Sequence, residues 1–426
     1  MDVKIEKLIY GGDGLAHHDS ATVFVPFVLP GETVSIAPLE KKKKFVRGRL
    51  QGVLTPSPDR IVADCPHFVT CGGCHYQQIA YAKQLQYKEQ ILRETLRRIG
   101  KIEWTEPIIT RASPPWGYRN RAQWKVRDTG ANGTSQVGYF QASSTTIVPV
   151  EACPILSRRL FATFEAIRKL LATGDLGSSL REVEAFADDH DESLVVTLTF
   201  VKFPKNIEEI EPRLRESIPT LTSVLFQDVA QSRMALKGSG FLAYTVGDFR
   251  YRVSHLSFFQ VNRFLVSEMA KDVAQAAGSG DVAFDLFAGV GLFSLPLARQ
   301  YGRVIAAESN PVATHDLRYN ATVQDNGPPG KIEARECDAV EFLQRVRQKP
   351  DCVVVDPPRA GLGAVGASAL AKLGPATIVY VSCDPSTLAR DLAVLAAAGY
   401  AISVVHLFDL FPQTFHIETM VRLARR

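Results

Sequence analysis

Asp285-Leu-Phe-Ala-Gly-Val-Gly-Leu-Phe-Ser294 closes the apolar run Val282–Phe287 and opens a helical pattern. A strand therefore passes into a helix through two closely spaced glycines, which permit a tight turn and close approach of backbone to a ligand. The same rhythm continues downstream. Strands are expected at Val282–Phe287, Arg303–Ala307, Lys331–Ala334, Asp351–Val355, Ala376–Val381, Ala401–Leu407 and near Glu418–Leu423, with helical stretches between them. That alternation predicts an α/β fold: a Rossmann-like, doubly wound parallel sheet over residues 256–426. Such sheets bind ligands in the crevice outside the carboxyl ends of their strands.

Chemistry-bearing residues fall at those ends. No Gly-Lys-Ser/Thr follows the glycine turn, so it is not a nucleotide-triphosphate loop, and Ser294 replaces the third glycine of a full G-x-G-x-x-G. Glu308 ends the next strand, where a carboxylate can accept both ribose hydroxyls. The pair fits a nucleoside-containing cofactor, either a dinucleotide or S-adenosylmethionine, and Asp-x-Phe-x-Gly-x-Gly is closer to methyl-donor loops. Asp338 is expected at the adenine end of that cofactor, as the cap of helix Ala339–Val346, or as both. In Asp356-Pro-Pro-Arg-Ala-Gly361 the prolines fix an extended backbone that holds the Asp356 carboxylate in the cleft. Amino-methylating enzymes carry an aromatic residue where Arg359 stands, so amine methylation is disfavoured. Cys383 follows the β-branched run Ile378–Ser382 and precedes a proline that can open a helix, which makes its thiol a candidate nucleophile.

A chain of 426 residues has room for more than one domain. Gly and Pro turns divide residues 1–53 into short strands, which suggests a small β-barrel. Residues 54–255 read as a mixed α/β domain, with a helix over Tyr81–Leu96, a second near Ser157–Thr173, and an alternating strand at Ser193–Phe200. Net charge is only +4, yet Ala80–Arg127 holds eleven Lys or Arg against four Glu. A second basic run spans Lys41–Arg49. Both patches fit a polyanion. The apolar runs are too short to span a bilayer, and the N-terminus lacks a signal-peptide core, so a cytoplasmic location with no membrane partner is expected.

The seven cysteines are an odd number, which in a cytosolic chain favours metal ligation or catalysis over disulfides. Cys65, Cys71 and Cys74 lie within ten residues of one another, and Cys153-Pro154 adds a fourth thiol. Four thiolates can hold zinc or an iron–sulfur cluster, and the spacing does not decide between them. His67 and His75 are placed as non-ligands.

Together, Phe259-Gln-Val-Asn262, Asp285–Gly291, Glu308, Asp356–Gly361, Ser382-Cys-Asp-Pro-x-Thr-Leu-Ala-Arg-Asp391 and Asp409-Leu-Phe-Pro-Gln-Thr-x-His-Ile-Glu418 closely resemble the RNA uracil-5 methyltransferases. The resemblance implies a class I methyltransferase domain that moves a methyl group from S-adenosylmethionine to C5 of uridine. It implies Cys383 as nucleophile and Glu418 as the base that removes the C5 proton. Gln260, Phe287, Glu308 and Asp356 are implied in donor binding. The N-terminal barrel is similar to a TRAM domain, an OB-like RNA-binding fold, and the resemblance favours a [4Fe–4S] cluster on Cys65, Cys71, Cys74 and Cys153. Two departures stand out: Asp384 replaces the usual Asn after the nucleophile, and Leu292 sits where several relatives carry Asn.

From these residues further expectations follow. The helix beginning near Pro385 is expected to stabilise a Cys383 thiolate. Lys83, Lys88, Arg93 and Arg97, with the Lys41–Arg49 run, are expected on phosphates, and Tyr118, Arg119, Asn120, Arg121 and Gln123 along a target channel. Phe259 is offered either as a stacking surface or as core. His416 is expected to share a strand side with Glu418 and to be structural. The target is read as RNA, foremost 23S ribosomal RNA, with the uridine flipped from a loop and no obligate protein partner. The rival readings are the same reaction on transfer RNA, a non-catalytic RNA-binding iron–sulfur protein, and a dinucleotide-dependent oxidoreductase.

Overall fold

The computed structural model describes residues 1–42, 44–128, 135–324 and 331–426. Lys43 of the basic run lies outside the described residues. The N-terminal strands are β1 (Asp2–Lys4), β2 (Lys7–Leu8), β3 (Asp13–His18), β4 (Ala21–Pro26), β5 (Thr33–Lys41) and β6 (Phe45–Thr55). Their order in the sheet is β1-β5-β6-β4-β3-β2. The two edge strands are consecutive in the chain, so Ile5 and Glu6 carry it from one edge to the other. Ile5 N donates to Glu32 O and Glu6 N to Leu15 O, closing the expected barrel. Val3, Val23, Val25, Val34, Ile36 and Val46 fill the interior. On the opposite face, register aligns Phe45 with Thr22, Arg47 with Phe24, Phe24 with Leu15, and Thr22 with His17.

After the cysteine segment come α1 (Tyr81–Arg98) and the short β7 (Ile109–Arg111). The central unit holds β8 (Arg121–Asp128), β9 (Ser135–Phe140), β10 (Ile147–Pro149), α2 (Arg158–Ala172), β11 (Leu180–Ala187), β12 (Leu194–Phe200), α3 (Ile207–Ser217), β13 (Leu221–Asp228) and β14 (Met234–Gly238). Its strands run β10-β9-β8-β11-β12-β13-β14. Phe164 of α2 and Leu214 of α3 share one core with Trp124, Leu198 and Phe226. The sequence pattern anticipates α2 alone, because Pro212 and charged residues interrupt the apolar period of α3. A hairpin, β15 (Phe241–Val246) and β16 (Phe249–Ser254), leads onward. It packs Tyr244 against Phe259 at 4.7 Å and Tyr251 against the same ring at 6.0 Å. Phe259 is therefore core, and its neighbour Phe258 points outward, 65% exposed.

The last unit comprises α4 (Val266–Ala277), β17 (Gly280–Leu286), α5 (Ser294–Leu297), β18 (Tyr301–Glu308), α6 (Pro311–Asn320), β19 (Lys331–Glu336) and α7 (Ala339–Arg345). It ends with β20 (Cys352–Val355), α8 (Gly363–Leu373), β21 (Thr377–Ser382), α9 (Pro385–Ala397), β22 (Tyr400–Phe408) and β23 (Glu418–Arg425). The sheet order is β19-β18-β17-β20-β21-β23-β22-β7. The five strands from β19 to β21 are parallel, as the alternating pattern predicts. Order reverses between β17 and β20, which opens the ligand crevice there. β23 runs antiparallel between β21 and β22, and β7 adds parallel to β22 at the edge. No helix among the described residues is long and apolar enough to cross a membrane.

α1 corrects one expectation. Lys88 has no exposed surface, and its Nζ donates to Asp409 Oδ1 at 2.5 Å and to Phe411 O at 3.0 Å. It cannot reach RNA phosphates. Gln84, Lys88, Ile91, Leu92 and Leu96 recur at helical spacing along the buried face, so position outweighs charge. Arg97 is exposed, and Lys83 and Arg93 are half-buried.

Removing one partner of a buried ion pair leaves the other charge uncompensated. Lys88→Met is expected to destabilise the fold by about 3–5 kcal/mol, and adding Asp409→Asn should recover much of that loss. Urea unfolding of the two variants reads both values.

Candidate active site

The register of the sheet brings the candidate reacting groups together. Ser382 of β21 pairs with Thr419 of β23, so the next residues, Cys383 and Glu418, meet at the same sheet edge. Val355 of β20 pairs with Tyr380, which brings Asp356 to that edge from the other side. The one strand that runs against its neighbours thus starts where they end, and its first residue is Glu418. His416 precedes the strand and does not share a strand side with Glu418. It lies in the loop, 3.3 Å from Arg359 Nη2 at its Nδ1, with Phe415 packed on its ring. Burial, then the Arg359 charge, push His416 down to about 3, so it is neutral.

The glycine turn lies at the crevice. Phe287, Gly289 and Gly291 all take positive φ, 62°, 54° and 95°. A side chain at Gly291 would meet Leu317 Cδ1 at 2.5 Å, so this glycine is required by space as well as by φ. Glu308 Oε2 accepts from Gly289 N at 2.8 Å and its Oε1 from Asn310 N at 2.7 Å, leaving one lone pair on each oxygen. Ser294 donates to Asp285 Oδ2 at 2.5 Å, while Asp285 Oδ1 is buried with no partner. The departure from a third glycine therefore serves this hydrogen bond, a contact that sequence spacing does not reveal. Asp338 caps α7, accepting from Val340 N and Glu341 N at 2.9 Å each. Cys337 N donates to Glu308 O, so the Asp338 loop stands beside Glu308. Gln260 is buried, and Leu292 is buried with its carbonyl accepting from Tyr251.

The electrostatics follow from crowding acids into a dry edge. Burial raises Asp285 to about 7 against the Ser294 hydrogen bond, with the Asp356 and Glu308 charges adding. Burial also raises Asp356 to about 7, although part of its surface opens to the cleft. Glu418, 3% exposed, is pushed well above the carboxylate range by burial and then by Asp356, with Arg359 opposing. Cys383 is pushed up to about 12 by burial, then Glu418 and Asp356, again against Arg359. This direction is opposite to the expected stabilisation of a thiolate. The N-terminus of α9 is spent on its own cap, because Asp384 Oδ1 takes Ser386 N and Thr387 N at 2.8 and 3.1 Å. An aspartate there also sets its charge against the helix dipole.

Loop 409–417, between β22 and β23, is latched on several sides. Gln84 and Gln413 exchange side-chain bonds, with Gln84 Nε2 donating to Gln413 Oε1 at 2.9 Å and Gln413 N to Gln84 Oε1 at 3.0 Å. His75 N and Tyr76 N donate to Gln413 O, and Asn262 Nδ2 donates to Leu410 O. Tyr118 is fully buried and donates to Pro412 O. Asn120 is equally buried, on Tyr244. Neither lines a target channel, and Arg121 is engaged by Glu184 and Ser257 O. Arg119 and Gln123 instead line a cavity of about 350 Å³ together with Cys65, Cys71, Cys74, Cys153 and His416. Among the described residues no three His, Cys, Asp or Glu stand close enough to hold a single metal ion. His67 Nε2 is occupied by Glu151 N.

Comparison with known proteins agrees with this geometry. Residues 80–328 and 330–426 match the family described as tRNA (uracil-5-)-methyltransferase, and residues 1–50 match the TRAM domain. An uncharacterized RNA methyltransferase of Aquifex aeolicus is 34% identical over 432 residues, spanning 99% of this chain and 98% of the relative. The 23S rRNA (uracil(1939)-C(5))-methyltransferase RlmD of Methylococcus capsulatus is 32% identical over 442 residues, spanning 99% and 96%. Among solved structures, a Pyrococcus abyssi tRNA (uracil-54, C5)-methyltransferase in complex with S-adenosyl-L-homocysteine shares the fold, with a TM-score of 0.76 at 24% identity over 100% of both chains.

A thiol held neutral alkylates slowly. In the substrate-free protein, Cys383 should react with iodoacetamide more slowly than free cysteine at about pH 8, with a rate still climbing at about pH 10. Glu418→Gln removes an acid whose ionised form raises the thiol, so it should accelerate the reaction at the alkaline end of the profile, where Glu418 is ionised. Peptide mass spectrometry of the Cys383 fragment follows both.

Proposed function

The chain belongs to the tRNA (uracil-5-)-methyltransferase family, and from that premise we propose how its residues methylate C5 of uridine in RNA and which RNA they serve. The observation that carries the reading is the register of β21 against β23, whose last pair, Ser382 with Thr419, brings Cys383 and Glu418 to one end of the sheet. S-adenosylmethionine, when bound, supplies an electrophilic methyl group on a sulfonium. Gly289, Gly291, Glu308, Phe287, Gln260 and Asp356 are the residues we assign to holding it, with Asp338 at its nucleoside end. They fit a cation that carries a ribose: the turn is open backbone, Glu308 keeps spare lone pairs, and Asp285 Oδ1 adds an uncompensated buried acceptor.

C5 of uracil is a weak nucleophile. Cys383, once deprotonated, adds to C6 and drives the ring to an enolate with electron density at C5. After C5 gains the methyl group, Glu418 takes the C5 proton and the thiolate leaves, restoring the double bond. Its raised proton affinity suits a base that must accept a carbon-bound proton. Arg359 is the cation facing this acidic edge.

RNA approaches over the barrel and α1. Phe24 and Phe45 flank Arg47 on one barrel face, and Lys42 lies 5.3 Å over the Phe45 ring. Phe258, the exposed aromatic beside the Gln260 segment, offers a stacking surface for an unstacked base. The proposed division is a barrel at 1–53, a central domain at 54–255 and a catalytic domain at 256–426. We assign 23S ribosomal RNA as the substrate, on the full-length similarity to RlmD relatives, and a cytoplasmic site of action.

For the cysteine cavity we propose a [4Fe–4S] cluster held by Cys65, Cys71, Cys74 and Cys153. Four thiols lining one cavity could hold zinc or a cluster, and the likeness to the RNA uracil-5 methyltransferases favours the cluster. The group would brace the segment that latches Gln413.

With a 23S ribosomal RNA transcript, wild-type protein should methylate uridine and transfer RNA transcripts should remain unmodified. Cys383→Ala should form no denaturation-resistant adduct with 5-fluorouridine RNA. Glu418→Gln should still form adducts while turnover falls by about 10²–10⁴-fold. Full activity in Cys383→Ala would sink the mechanism.

Anaerobically purified protein should contain iron and acid-labile sulfide at about four each per chain, lost in Cys71→Ser or Cys153→Ser. Stoichiometric zinc without sulfide refutes the cluster assignment.

A further inference from the structure

Tyr10 lies where the barrel meets the catalytic unit. Its hydroxyl donates to the backbone carbonyl of Cys383 at 3.3 Å. Its ring stands edge-on to Phe415, with centroids 5.7 Å apart and planes at 88°. Phe415 lies in the latched loop that leads to Glu418, so one side chain of the barrel touches the backbone of Cys383 and the loop that precedes Glu418. The turn after Tyr10 is shaped for this approach: a side chain at Gly12 would stand 3.2 Å from Phe415 Cδ1, at a φ of +94°.

The Cys383 carbonyl sits in a gap between regular elements. β21 ends at Ser382, and α9 begins after its cap, Asp384. The turn that aims the thiol is thus fixed locally by Ser382 and Asp384, and from outside by Tyr10. Ser382 Oγ donates to Asp384 O at 3.0 Å and accepts from Asp384 N at 3.2 Å. Burial, then the Asp384 carboxylate, raise the Tyr10 phenol, so it remains a donor throughout the working pH range. Asp384 is also one of the two departures from the family pattern. An asparagine caps a helix equally well. What the aspartate adds is a negative charge beside the Tyr10 hydroxyl.

We propose that Tyr10 is a positioning residue for Cys383: its hydroxyl, bonded to the Cys383 carbonyl, fixes the turn that aims the thiol at the pyrimidine. The barrel then completes the active site in addition to carrying RNA. This rests on the assignment of Cys383 as nucleophile.

The test measures single-turnover adduct formation with 5-fluorouridine RNA, together with the Kd for the same RNA. Wild-type protein is the control for the underlying assignment: if it forms no adduct, Cys383 is not the nucleophile, and Tyr10 is not at issue. Tyr10→Phe keeps the ring against Phe415 and removes only the hydroxyl. Its adduct rate should fall about tenfold at saturating RNA, as expected for loss of one hydrogen bond at the reacting turn. Kd should stay within about twofold of wild type. Asp384→Asn keeps the cap and removes the negative charge, and the double variant should lose less rate than the product of the two single losses. An unchanged adduct rate in Tyr10→Phe overturns the proposal. So does a rate loss matched by weaker RNA binding and cured by more RNA, or independent effects in the double variant.

Discussion

A lysine and an aspartate, both sealed from water, hold the loop that aims Glu418. Lys88 and Asp409 meet where α1 crosses the end of β22. Such a pair adds little net stability, because removing two charges from water offsets their attraction. Its effect is on geometry. Neither charge is satisfied unless the helix docks in one position, and that position sets the exchange between Gln84 and Gln413 and the bonds from His75 and Tyr76. Five residues after the exchange, β23 begins with the proposed base. The cysteine segment, the helix and the catalytic loop therefore have one mutually consistent arrangement.

The acids at the sheet edge give the cleft a chemical bias. Asp285, Asp356 and Glu418 all hold protons more tightly than exposed carboxyls, and their proximity keeps Cys383 neutral. A neutral thiol is a poor target for oxidants and electrophiles. A cationic donor reverses the balance by stabilising every negative charge nearby. Arg359, with its neighbour His416 held neutral, is the fixed part of that counter-charge.

Much of this was legible in the chain. The alternation of strand and helix from Val282 onward gives the parallel sheet, and the acidic, glycine and cysteine positions fall at strand ends because such sheets place ligands there. What sequence could not supply was the direction a side chain faces. Lys88 looked like part of a basic surface, but its spacing from Gln84 and Leu92 is that of the buried stripe. Phe259 and Phe258 are neighbours, and only packing tells which one is core. Tyr118 and Asn120 sit in a run of arginines, and both turn inward to close contacts with distant segments. Tyr10 lies in an ordinary glycine turn, and nothing local signals its partner at Cys383. In each case the deciding contact is remote in sequence.

The three-residue strand β7 carries a last implication. It is synthesised early, yet its sheet partner among the described residues is β22, far along the sequence. The cysteine segment likewise bonds to Gln413. While the polypeptide is still emerging from the ribosome, the first third of the protein must wait, with the connection from α1 to β8 undocked, until the final strands arrive. Long-range pairing of this kind slows folding and leaves apolar surface open to misassociation. The nascent chain is most vulnerable in that interval, with its four metal-competent thiols already translated and the scaffold that should enclose them not yet made.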